Sequence, residues 1–185
     1  MVSYSESSIY IFGRSTTRKR RIIARDFNIQ NPLLTHIGIG LYQQQKLRIY
    51  NITNSISTSK DSALIIETFH DFINFKDIEY FGIWELTLSE IEISKIKLTL
   101  SELITKTIVF NDDFLFNNEN HLYCSEFVYL MIKEIESLNI DNSMIVKKKL
   151  NSFYSRALKR EYLEYIPVDF FINIKGIKLI FQKKW

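Results

Sequence analysis

The chain has 185 residues, of which 46% are hydrophobic and 24% charged, and it carries a net charge of +3. That length suits one domain with its own core, 1–185, and is short for two; so mild a charge permits contact with anionic surfaces without demanding it. The single cysteine, Cys124, excludes an intramolecular disulfide and any Cys-x-x-Cys metal site. Three histidines with no His-x-x-x-His spacing give no metal motif, and neither a metal nor a cofactor is expected.

Residues 1–8 are polar and lack a basic start followed by a long apolar run, so neither a signal peptide nor a transmembrane segment is expected in this chain. Residues 8–13, Ser-Ile-Tyr-Ile-Phe-Gly, predict a first strand. Six basic residues follow in twelve positions, from Arg14 to Arg25. No aromatic residue is interleaved to stack bases, so no nucleic-acid partner is expected. The run reads as a solvated helix or loop, or as a contact with anionic headgroups or a cell-wall polymer.

Residues 33–42, Leu-Leu-Thr-His-Ile-Gly-Ile-Gly-Leu-Tyr, predict a strand. Alternation places His36, Gly38 and Gly40 on one face and Ile37, Ile39 and Leu41 on the other. The second face is core; the first lacks bulk, and glycine in a strand marks close approach by another group. Residues 46–52 alternate as another strand, 53–61 form a polar loop, and 63–69 predict a third strand carrying Glu67. His70 follows in a loop. Residues 78–87 are rich in aromatic and β-branched side chains and predict a strand. Over 89–105 part of the pattern alternates, but the length and the shared face of Ile96, Leu100, Leu103 and Ile104 favour a helix. Residues 139–160 read as a polar, partly helical insertion, and 166–170 and 177–181 as strands completing the sheet.

Residues 121–131, His-Leu-Tyr-Cys-Ser-Glu-Phe-Val-Tyr-Leu-Met, predict an amphipathic helix with Cys124, Phe127, Val128, Met131 and Ile135 on its inner face. The preceding run from Asn117 to Asn120 supplies side chains to cap it. A thiol in the first turn feels the positive end of the helix dipole, which favours the thiolate. That is the setting of a nucleophile, and equally of a small buried core residue. A strand histidine facing such a cysteine is the base–nucleophile pair of thiol hydrolases. His36 is the candidate base. His121, three positions before Cys124, is the alternative, or lines a substrate groove, or plays no part; His70 reads as a surface residue.

Three segments together, Thr35-His-Ile-Gly-Ile39, Leu64-Ile-Ile-Glu-Thr68 and Tyr123-Cys-Ser-Glu-Phe-Val128, resemble the signatures of the permuted NlpC/papain-like cysteine hydrolases, YiiX/YebB-like branch. The order, histidine before cysteine, is that of the circularly permuted group, and the resemblance runs from about residue 10 to about residue 171. Tyr165-Ile-Pro-Val-Asp169 is similar to the family's closing Pro-x-Asp segment. Two features depart from the family: a Gly-Asp before the first strand is missing, and Phe110-Asn111 stands where members tend to carry Tyr-Asp. The lost tyrosine hydroxyl removes a donor to substrate or oxyanion.

The resemblance implies an α+β papain-like fold, in which an antiparallel sheet or partial barrel packs against the helix that bears the cysteine at its N-terminus. It also implies a catalytic set of Cys124, His36 and Glu67, with Glu67 holding the far nitrogen of His36; Asn51 and His70 are the other candidate orienters. The expected activity is that of a cysteine peptidase or amidase, a hydrolase forming a thioester acyl-enzyme and cleaving an amide bond in a peptide, a peptidoglycan fragment or a similar molecule. An acyltransferase or lipid hydrolase acting on acylated small molecules is the first alternative. A non-catalytic member that binds a ligand or partner, through the basic run from Arg14 to Arg25, is the second.

Overall fold

The computed structural model describes residues 2–16, 22–54, 62–74, 77–116, 120–140 and 144–185. Its centre is β1, Ser8–Thr16. Ile9 and Ile11 are buried on one side of this strand and Tyr10 and Phe12 on the other. A strand buried on both faces belongs in the middle of a sheet. Antiparallel neighbours flank it: β2, His36–Gln43, and β5, Ile78–Thr87. β3, Lys46–Ile52, pairs with β2, and β4, Leu64–Glu67, pairs with β3. β10, Lys178–Lys184, pairs with β5, so the six strands run in the order β10-β5-β1-β2-β3-β4.

β2 and β3 are joined by Gln44 and Gln45, both at positive φ (49° and 61°). These are the dihedrals of a two-residue hairpin turn that Asn-Gly ordinarily supplies, so the turn has no signature in the residue types.

Two helices cover the face formed by Ile37, Ile39, Leu41, Tyr50 and Ile52. They are α3, Glu90–Ile104, and α4, Cys124–Ile132. Ser89 caps α3 through a reciprocal pair of bonds with Glu92. Ile93, Ile96, Leu100 and Leu103 are buried, whereas Ile104, expected on that face, is exposed in the last turn. α4 is buried on nearly every side and packs on β2 and β3; a helix apolar all round is an interior helix. The opposite face of the sheet holds Tyr10, Phe12, Ile49, Phe81 and Ile83. It is closed by Phe72 of α2, Phe69–Ile73, a five-residue helix that Thr68 and Asp71 cap where the sequence suggested only a loop.

A smaller cluster of Phe27, Leu150, Tyr154, Leu163 and Tyr165 ties the helix α1, Ile22–Phe27, to the second half of the chain. There β8, Val146–Lys149, pairs with β9, Tyr162–Tyr165, and the helix α5, Ser152–Leu158, lies between them in sequence. The polar stretch 139–160 therefore contributes a strand, β8, as well as a helix. Residues 166–170 are not a strand: Pro167 opens a 3-10 helix, Val168–Asn173, because its fixed φ and missing N–H suit the start of a helix rather than a ladder.

Candidate active site

Cys124 is the first residue of α4 and is 9% exposed. The cap position is not one of the asparagines. A short parallel pair, β6 (Val109–Phe110) with β7 (His121–Leu122), leads into the helix instead. The N-cap is Tyr123, which makes no side-chain capping bond; residues 117–119 lie outside the described residues. The intrahelical ladder starts with the Phe127 N–H donating to the Tyr123 carbonyl at 3.0 Å, so the N–H groups of Cys124, Ser125 and Glu126 have no acceptor within the helix.

His36 opens β2 and is 6% exposed. Its ring stacks on Phe72 of α2, centroids 5.8 Å apart, and the neighbouring Ile37 and Ile39 pack in the cluster that holds α4. The His36 Nε2 lies 2.9 Å from Asn51 Oδ1, and Asn51 Nδ2 donates to Glu67 Oε2 at 2.7 Å. The carboxylate expected on the far imidazole nitrogen is thus one residue further back, and Asn51, fully buried in β3, makes that contact. The three side chains come from adjacent strands. Asn51 pairs with Ile65 and Ile49 with Glu67, which sets Asn51 and Glu67 as diagonal neighbours on one face. Gly38 leaves the room: a Cβ there would sit 2.9 Å from Asn51 Cβ and 2.9 Å from the Tyr50 carbonyl oxygen. The close approach foreseen at the glycine face is that of Asn51.

The other histidines are apart from this set. His70 is exposed on α2, 3.9 Å from Asp71. His121 is exposed in β7, and its carbonyl accepts from Asn111 Nδ2. Asn111 is itself buried and clamps the loop ahead of the helix: Nδ2 donates to the Leu115 carbonyl at 2.7 Å, and Oδ1 accepts from Leu115 N–H at 3.2 Å.

Three further residues were given no such role in the sequence. Tyr123 and Ser125, on either side of Cys124, hold the two backbone groups of Ile166: its N–H donates to Tyr123 Oη at 3.2 Å, and Ser125 Oγ donates to its carbonyl at 2.7 Å. Burial, with the Glu126 carboxylate nearby, pushes the Tyr123 phenol far above its ordinary value. Three positions on, the fully buried Asp169 carboxylate accepts the backbone N–H groups of Ile29, Gln30 and Asn31. That loop runs on into His36, so a hydrogen-bonded strap links the start of α4 to the start of β2. Asn51, an alternative orienter in the sequence, is the residue that contacts His36.

Both ends of the basic run pair within the protein. Arg14 is buried, its guanidinium 4.2 Å over the Phe72 ring and Nη1 donating to the Phe72 carbonyl. Arg25 pairs with Glu79 at 2.5 Å. Arg18, Lys19, Arg20 and Arg21 lie outside the described residues. No helix among the described residues is long and apolar enough to cross a membrane.

No protein-family model and no curated protein sequence matches the chain. Among solved structures, the chain is similar to the metalloprotein YiiX from Escherichia coli O157:H7 (DUF1105), with a TM-score of 0.69 at 11% identity over 98% of this chain and 100% of that one. At that identity the likeness is one of fold: the chain shares with YiiX a mixed α/β architecture of a large antiparallel sheet and packed helices.

Proposed function

We propose that the protein is a thiol hydrolase of the permuted NlpC/papain-like kind, with Cys124 as nucleophile and His36 as base, and that it cleaves an amide bond. The hydrogen bond between His36 Nε2 and Asn51 Oδ1 carries this reading. A buried histidine held at one nitrogen by a side chain from the next strand is a histidine whose other nitrogen, Nδ1, is reserved for proton exchange. The strap through Ile166 and Asp169 supports it, since it ties the thiol's helix to the strand that carries the imidazole.

Nδ1 of His36 takes the thiol proton, and the thiolate attacks the carbonyl carbon. The oxyanion is met by the N–H of Cys124 at the helix start. The C–N bond breaks as the imidazolium returns its proton to the leaving amine, leaving a thioester on Cys124. Water, deprotonated by the same imidazole, releases the acid and restores the thiol. An alcohol or amine in place of water makes the same site an acyltransferase.

YiiX is described as a metalloprotein. Among the described residues no group of three or more His, Cys, Asp or Glu side chains gathers to hold a metal ion, so the residues here do not fit such a centre and the steps above run through the thiol.

A second reading has its own observation. Cys124 sits in the apolar cluster with Phe127 and Ile37, as a structural thiol would. Because Cys124 is the only cysteine, alkylation reports on it alone. Wild type should react with iodoacetamide at pH 6 at least about tenfold faster than His36→Ala, and Cys124→Ala should not label. Equal rates with and without His36 would leave only the structural thiol.

A further inference from the structure

An asparagine amide is nearly symmetric in shape but opposite in hydrogen-bonding sense at its two ends. Rotated by half a turn, the Asn51 amide would set its oxygen against the Glu67 carboxylate and its NH2 against the imidazole. A carboxylate only accepts, so Glu67 admits only the NH2 end, at the observed 2.7 Å. The oxygen must then face His36 at 2.9 Å, and an amide oxygen only accepts, so the His36 nitrogen there carries hydrogen. Each link decides the next. Asn51 has no exposed surface, so bulk water offers it no substitute partner.

We propose that Glu67 is a positioning residue: acting through the Asn51 amide, its carboxylate places the proton of neutral His36 on Nε2 and leaves the Nδ1 lone pair as the base. The proposal rests on the hydrolase reading for its consequence, but the proton's location is measurable without any turnover. The Glu67 carboxylate is hydrogen-bonded to the Asn51 amide. Its effect passes through the direction in which one amide points.

The test reverses one link of the relay and then repairs it. Asn51→Asp still accepts from Nε2–H but confronts Glu67 with a second carboxylate, so one of the two must bind a proton or turn away. Adding Glu67→Gln to Asn51→Asp supplies an NH2 that donates to the new carboxylate. We expect Asn51→Asp to slow Cys124 alkylation at pH 6 at least about tenfold and the double variant to recover to within about threefold of wild type, as a wrongly held histidine is costly and a correctly held one is not. A merely structural role predicts no such recovery. In a Cys124→Ser background, nitrogen-15 NMR of the neutral His36 ring should show the proton on Nε2 with Glu67 present and divided between the nitrogens in Glu67→Ala.

A proton on Nδ1 in the presence of Glu67, or a double variant no better than Asn51→Asp, overturns the relay. If the ring carries its proton on Nε2 while Cys124 is no more reactive than in His36→Ala, the relay stands and the hydrolase reading falls.

Discussion

Gly38 shows how much a single residue decides in this molecule. Its missing Cβ is what lets Asn51 lie across β2 toward His36, and the nearest obstacles to a Cβ are Asn51 Cβ and a backbone carbonyl, neither of which can swing aside. Gly38→Ala should therefore cost about 1–3 kcal/mol in urea unfolding, as overpacking in a close-packed interior does. It should also lower Cys124 alkylation at pH 6 toward the His36→Ala rate. Stability lost with full thiol reactivity retained would mean that Asn51 does not orient the imidazole. The glycine and the histidine were both legible as a strand face lacking bulk. What occupied the space was not, because the partner lies on another strand and the pairing register, not the local pattern, chooses it.

At the scale of elements, α3 carries a pH-dependent cap. Hydrogen bonds from Ser137 and from the backbone and hydroxyl of Ser89 pull the Glu92 carboxyl down to about 2. A carboxyl lowered on folding stabilises the folded state when ionised in both states, so the contribution is present above the unfolded value of 4.5 and fades as pH falls toward about 2. The group is largely solvated, so the expected size is that of an ordinary cap. Glu92→Gln should lower stability at pH 7 by about 0.5–1 kcal/mol, with the difference closing between pH 4.5 and about 2 in urea titrations. The helix over 89–105 could be read from its length and the shared face of Ile96, Leu100 and Leu103 despite its partly alternating pattern, and its cap is a local signal of the same kind. The caps that failed to show are those with no side chain to announce them. Tyr123 opens α4 through the strand pair before it, and Gln44-Gln45 turn the hairpin without glycine or asparagine.

For the molecule as a whole, the question is what keeps the start of α4 and the start of β2 in register when nearly ninety positions separate them. The strap through Ile166 and Asp169 answers it with bonds from both sides. Asp169 is the critical joint, one buried carboxylate receiving three successive backbone N–H groups. Asp169→Asn keeps the shape but turns an acceptor oxygen into a donor facing donors. It should cost roughly 2–3 kcal/mol in urea unfolding and slow Cys124 alkylation, although it touches neither thiol nor imidazole. Unchanged alkylation in a destabilised variant would confine Asp169 to holding the loop.

Periodicity and residue type alone marked the central strands, the interior helix of Cys124 and the histidine strand, because each depends on neighbours a few positions apart in the chain. The expected contact between Glu67 and His36 is displaced by one residue, and 166–170, expected as a strand, leads into a 3-10 helix. Both turn on which remote groups meet, and only the packed sheet settles that. Hydrophobic spacing is written locally, whereas the direction of an amide between two strands is decided by what stands on either side of it.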